Sequence, residues 1–312
     1  LTRFLMHPIL ALVAWLPLAW PVPAACEDTV LVVPKVESIQ FWGMVRQGAM
    51  DAGVERGVRV LYRGPLAHES DDRQRAIIEQ GLAQGVDAVV VAPSSVDALT
   101  DVTLAARDKG VPLVVIDSAL GDGWQVSFVA TDNLEAGRVA ARFLLSGVPG
   151  GGTILLLRHK EGSSATEKRE VGFAAEVEAG GRHDILLSDY LGVSQGNAYH
   201  RTMSLLRGRP EISGVFASGE IATMGCIQAI RELGLAGKVR VVGFDDTPDI
   251  RRALADGVLQ GVMVQQPYRM GRVGVETACD ALAGKPVEKR IVTEAVLVTS
   301  PDGFSPYGLT NP

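Results

Sequence analysis

Three Gly-Val dipeptides constrain this chain more than any other feature. Gly57-Val58, Gly85-Val86 and Gly110-Val111 lie 28 and 25 residues apart. Each closes a stretch with helical spacing and opens an apolar run. Glycine at a helix end adopts the left-handed conformation cheaply, so each dipeptide reads as a helix stop followed by a strand start. The spacing predicts strands over 30–33, 58–62, 86–92 and 111–116, with helices over 41–56, 74–84 and 96–109. One helix plus one strand per interval is a βαβ unit, and consecutive units build a parallel sheet.

The rhythm changes near 121–132. A strand over 125–130 arrives without an intervening helix, and Thr131-Asp132-Asn133 then caps a helix over 134–145. A second alternating series follows. Its predicted strands are 153–157, 185–190, 214–217, 239–244, 258–264 and 294–298. That is more than one parallel sheet comfortably holds, so the pattern predicts an α/β protein with two sheets of five to six strands and a boundary near Thr131. Pro149-Gly150-Gly151-Gly152 is Gly-rich but precedes a strand, whereas a phosphate-cradling loop must lead into a helix N-terminus. It reads as a turn.

Composition excludes several classes. With 47% hydrophobic and 21% charged residues the chain can bury a substantial core. The net charge is −6, and there is no Lys/Arg cluster to hold nucleic acid. Cys26, Cys226 and Cys279 give neither a disulfide framework nor metal-ligand spacing, and the last two read as helix core. At the N-terminus, Arg3, an apolar stretch over 4–20 and then PVPAAC have the layout of a secretory signal. Cleavage is expected after Ala24 or Ala25, with a lipidated Cys26 as the second option. Removing Arg3 leaves an acidic exported protein.

Ligands of doubly wound sheets bind outside the carboxyl ends of the strands. Here those ends carry Lys35-Val36-Glu37, Pro93-Ser94-Ser95, Asp117-Ser118, Asp132-Asn133, 158–164, Ser218-Gly219-Glu220, Asp245-Asp246 and Gln265-Gln266. Asp117, at the end of the apolar run VPLVVI, is either a ligand group or a turn cap. Phe41-Trp42 are adjacent on a helix and lie about 100° apart, so both cannot face its sheet. Either both pack in the core, or one forms an apolar platform for a ring, suited to a polyhydroxylated ligand. Enzyme signatures do not assemble. His7, His68, His159, His183 and His200 lack metal-ligand spacing, and no G-x-S-x-G elbow occurs. Ser163-Ser164 near His159 read as solvated loop residues. One of Asp245-Asp246 is expected to cap the helix at Thr247-Pro248.

Four stretches together resemble periplasmic sugar-binding proteins of the ribose-binding, LacI-like type. They are Phe41-Trp42 with Gly48-Ala49; 114–117 with 130–133; GSSATEKREVGF at 162–173; and VGFDDTPD at 242–249 followed by Gln265. The resemblance covers 29–298. It implies two Rossmann-like lobes with parallel sheets, joined by a three-crossing hinge near Thr131, Gln265 and Glu294, with the ligand between them. The lobes would be 27–131 plus 266–294, and 132–265 plus 295–312, after a signal peptide over 1–25. It also implies that Phe41 and Trp42 stack on the ligand, that Asp117, Asp245 and Gln265 accept or bridge its hydroxyls, and that Arg169 donates to its oxygens.

This chain departs from the ribose pattern at Ile39-Gln40 (Asn in ribose binders), at Ser118 (Arg) and at Gly219 (Asn). Each lost partner in a buried polar site costs roughly 1–3 kcal/mol, which argues against ribose itself. Ser118 and Gly219 are then expected to leave room for a different ligand, with Lys35 and Glu220 as further contacts.

The resemblance implies a monomeric, non-enzymatic periplasmic receptor without metal or cofactor. It would capture a sugar, polyol or related molecule and deliver it to the permease of an ABC importer. A sensor subunit feeding a histidine kinase or chemoreceptor is the alternative, and an enzyme on the same fold a remote one. A repressor effector domain would need a helix-turn-helix where residues 1–28 offer a signal segment.

Overall fold

A computed structural model describes residues 27–304 except 68 and 122. The signal segment and Cys26 lie outside the described residues, as does the chain beyond 304. The first half runs β1 (Thr29–Val33), α1 (Gln40–Arg56), β2 (Arg59–Tyr62), α2 (Asp71–Ala83), β3 (Ala88–Val91), α3 (Thr100–Asp108), β4 (Leu113–Ile116) and β5 (Ser127–Thr131). Then follow α4 (Asn133–Ser146), β6 (Gly152–Leu157), α5 (Ser164–Gly180), β7 (His183–Leu187), α6 (Gln195–Leu206), β8 (Ile212–Ala217), α7 (Glu220–Glu232), β9 (Arg240–Phe244), α8 (Pro248–Ala255) and β10 (Gly261–Val264). The chain closes with α9 (Pro267–Leu282), β11 (Arg290–Thr293) and β12 (Val296–Val298).

Two six-stranded sheets form, in the orders β11-β5-β4-β3-β1-β2 and β12-β10-β9-β8-β6-β7. The alternating strand period sorts their side chains onto two faces. In the first sheet Val30, Val32, Val90, Val114 and Ile116 pack under α1 and α9, while Leu31, Val33, Val89, Val91 and Val115 pack under α2 and α3. In the second, Ile154, Leu156, Phe216 and Phe244 face α4 and α5, while Leu155, Leu157, Val215 and Val241 face α6, α7 and α8. Gly57, Gly85 and Gly110 have φ of 66°, 76° and 70°, the left-handed stops that the repeat requires. Cys226 is buried and Cys279 half-buried, both as free thiols on helices.

The chain passes from the first sheet to the second after β5, returns after β10, and passes again between β11 and β12. The strand expected over 294–298 is β12, in the second sheet, whereas β11, just before it in the first sheet, was not expected. β12 runs antiparallel to β10, unlike the parallel pairs around it. Direction explains this. β5, β10 and β11 all run toward the gap between the sheets, so a strand entering the second sheet from that gap must run away from it. The helix expected over 96–109 begins only at Thr100, because Val96 is held in a loop: its N–H donates to Gly162 O and its carbonyl accepts from Gly121 N–H. The Gly-rich segment at 149–152 is a turn leading into β6.

Candidate functional site

The carboxyl ends of the two sheets face each other across a cleft of about 650 Å³, measured to its open mouth. Each lobe sends one aspartate into it in the same way. Asp117 follows β4 and Asp245 follows β9, with φ of 62° and 71°. They are the only non-glycine residues with positive φ among the described residues. Each N–H donates to a neighbouring strand, Asp117 to Val129 O at 3.0 Å and Asp245 to Met263 O at 2.8 Å. A left-handed conformation costs an L-residue roughly 1–2 kcal/mol, and such outliers gather at binding sites.

The side chains around these carboxylates are already partnered. Lys35, just beyond β1, puts Nζ 2.8 Å from Asp117 Oδ2 and donates to Ser118 Oγ at 2.6 Å. Arg169, on the second turn of α5, is 2% exposed. Its Nε donates to Asn133 Oδ1 at 2.7 Å, its Nη1 donates to Ser218 O at 2.9 Å, and its guanidinium lies 3.8 Å from the centre of the Phe244 ring. Gln265 donates to Asp245 Oδ1 at 2.7 Å and accepts from Thr131 Oγ1 at 2.8 Å. Thr131 Oγ1 is also 3.5 Å from Thr293 Oγ1, so one polar chain links all three crossings between the lobes.

Burial pushes the Asp245 carboxyl up, while Arg169, Gln265 and the Glu220 N–H pull it down and Asp117 pushes it up further. Burial likewise lowers Arg169, against the charges of Asp245, Asp117 and Glu170. Glu220 is lifted to about 7, first by burial and then by Asp245; the backbone N–H groups of Phe41 and Gln40 oppose this, and Asp246 adds to the rise. The carboxyl of Glu220 therefore points at the first turn of α1, a helix with no side-chain cap of its own. Its Oε2 is buried and has no hydrogen-bond partner.

Phe41 and Trp42 both line the cleft and both belong to the core under α1, with ring centroids 4.9 Å apart and planes at 83°. The start of a helix lets one ring pack below and the other flank the cleft. Across one rim the lobes touch. Lys160 Nζ lies 3.0 Å from Glu69 Oε2 and donates to Ser94 O, and Ala119 N–H donates to Ser164 Oγ at 2.7 Å.

Residues 30–286 match the periplasmic binding protein domain. The chain belongs to this family of periplasmic binding proteins. It is 30% identical over 266 residues to the ribose import binding protein of Bacillus subtilis (strain 168), covering 83% of each chain. Among solved structures it resembles the periplasmic component of an ABC-type sugar transport system from Hahella chejuensis, with a TM-score of 0.84 and 33% identity, covering 87% of this chain and 99% of the other. It also resembles an ABC transporter solute-binding protein from Agrobacterium vitis with bound D-fucose, with a TM-score of 0.86 and 31% identity, covering 89% and 98%.

In this periplasmic binding protein the cleft brings together Lys35, Phe41, Trp42, Asp117, Arg169, Gly219, Glu220, Asp245 and Gln265. Ser118 is not among the lining residues. It is 1% exposed, and its hydroxyl is committed to Lys35 and to Asp117 Oδ2. The room expected beside Ser118 is occupied by the Lys35 ammonium. Gly219 does leave room: a Cβ there meets only Thr166 Cγ2 at 3.7 Å and Arg169 Nη1 at 4.0 Å.

Neither aspartate of the 245–246 pair caps α8. Thr247 does, accepting from Ile250 N–H, while Asp246 pairs with Arg251. Ser163-Ser164, near His159, are not solvated loop residues either: Ser164 opens α5 and accepts from Ala119 N–H, and Ser163 and His159 face the cleft. Ser163 is buried beside Lys35. Asn133, which accepts from Arg169 Nε, and His159, on the cleft wall, are named in the sequence only as a strand-end residue and as a histidine without metal-ligand spacing. Both stand near strand ends, and that position was the available signal.

Proposed function

We propose that this chain is a solute receptor of the cell envelope that binds a sugar or closely related polyol in the interlobe cleft and presents it to the permease of an ABC importer. The lobes that move would be 27–131 with 266–294, and 132–265 with the chain from 295 onward. The protein would act as a monomer and carry out no chemistry on its ligand. One observation carries the reading: an aromatic pair flanks buried, charge-assisted donors and acceptors at the ends of two facing sheets. Sugar rings present apolar C–H faces and a rim of hydroxyls, and this arrangement meets both. Charge-assisted hydrogen bonds are about twice as strong as neutral ones, which favours tight capture. The relatives named as ribose-import and sugar-transport components support the same substrate class.

Phe41 and Trp42 would stack on the ring. Asp117, Asp245 and Gln265 would accept from hydroxyls and Arg169 would donate to oxygens, with Lys35 and Glu220 at the margins. The open space at Gly219 and the ammonium of Lys35 beside Asp117 give the cleft a different outline from a ribose site. A calorimetric panel of pentoses, hexoses, deoxy-hexoses and pentitols tests the proposal. At least one member should bind the wild type, and Arg169→Ala and Asp245→Asn should each weaken that sugar about tenfold or more. A panel without any measurable heat would contradict the reading.

A further inference from the structure

His159 follows β6 on the wall of the cleft. Its backbone is fixed on both sides: its N–H donates to Glu170 Oε1 at 2.9 Å and its carbonyl accepts from Gly192 N–H at 2.8 Å. Its ring nitrogen Nδ1 is buried and has no hydrogen-bond partner in the protein. A buried, unpaired polar atom on a rigid wall costs free energy unless something else supplies its hydrogen bond. The charged groups around the ring are already balanced. Lys35 pairs with Asp117, Lys160 pairs with Glu69, and Arg169 faces Asp245. An anionic ligand group would find no spare cation there.

We propose that His159 is a specificity-determining ligand contact, its Nδ1 exchanging a hydrogen bond with an uncharged hydroxyl of the bound sugar on the Lys35–Glu69 side of the cleft. This rests on the reading of the cleft as a sugar site. The neutral imidazole is suited to the task, since one ring nitrogen donates and the other accepts. The ring is kept uncharged: burial first, and then Lys35, Arg169 and Lys160, lower its pKa to about 4 against the pull of Glu69. The position is distinct from that of Glu220, whose neighbours are Asp245, Asp246 and the first turn of α1. A ligand touching both residues therefore spans the cleft.

The test uses isothermal calorimetry on the full chain with D-ribose, D-arabinose, D-allose, D-fucose and xylitol, alongside thermal melting of each variant. An asparagine side chain ends where Nδ1 sits, a glutamine reaches further, and leucine keeps bulk without polarity. For the tightest-binding sugar, His159→Leu and His159→Gln should lose about tenfold or more in affinity, and His159→Asn should stay within about threefold of wild type. Melting temperatures should change little in all three, and His159→Gln carries the comparison if the leucine variant does not fold. Wild-type affinity in His159→Leu or His159→Gln, or a loss in His159→Asn as large as theirs, overturns the role of Nδ1. If none of the five compounds binds wild type, the sugar reading itself fails and this inference falls with it.

Discussion

Glu220 is the cleft residue at which acidity bears on stability. Its carboxyl titrates near 7 because burial and the charge of Asp245 disfavour the anion, with Asp246 adding to them, while the amides of Gln40 and Phe41 favour it. A carboxyl raised in the folded state contributes stability that is fully present below its unfolded value of 4.5 and is lost as pH rises through about 7. Wild type should therefore lose thermal stability relative to Glu220→Gln between pH 5 and pH 8, as melting curves across that window would reveal. A constant difference would mean that Glu220 does not titrate there. Gly219 offers a second test at this scale. Its backbone is extended and its Cβ position opens toward Arg169, so Gly219→Leu should melt like wild type yet exclude the sugar by more than about tenfold.

Asp117, Asp245 and Arg169 were legible in the sequence because apolar runs end on the aspartates and the flanking segments resemble a known pattern. The left-handed backbone of both aspartates was not, since nothing local demands it; each is held by an N–H bond to a neighbouring strand. Nor could sequence place Lys35 against Ser118, a contact between residues far apart in the chain.

Among the elements, two helix pairs hold the site from behind, and both rely on glycine. A Cβ on Gly137 of α4 would fall 2.0 Å from Arg169 O, and one on Gly172 of α5 would fall 2.1 Å from Leu134 O. The partner lobe repeats this with Gly48 and Gly271 between α1 and α9. Gly137→Ala must push α5 outward, carrying Arg169 with it. It should cost at least about 1–3 kcal/mol in urea unfolding and weaken sugar binding in the same protein. Gly43→Ala is the contrast. With open space around it on α1, it should gain about 0.5–1 kcal/mol. The helix–strand alternation was readable because the Gly-Val stops are local. β11 was not, because a strand at 290–293 forms only where that segment meets the edge of the first sheet at β5.

At the scale of the molecule, the two lobes are joined by three crossings tied together through Thr131, Gln265 and Thr293, and they touch across the rim at Lys160, Glu69 and Ser94. In the proposed mechanism the crossings act as a hinge that opens when rim contacts release and closes when a ligand bridges the lobes. Lys160→Ala should favour the open arrangement and raise the radius of gyration of the sugar-free protein in small-angle scattering.

The central claim is that the sugar sits between the lobes against Trp42. In a chain starting at residue 27 and carrying Trp124→Phe, Trp42 is the sole tryptophan. Its fluorescence should change saturably on titration with a sugar that binds by calorimetry, giving the same dissociation constant. Calorimetric binding with no change in Trp42 emission would contradict the account.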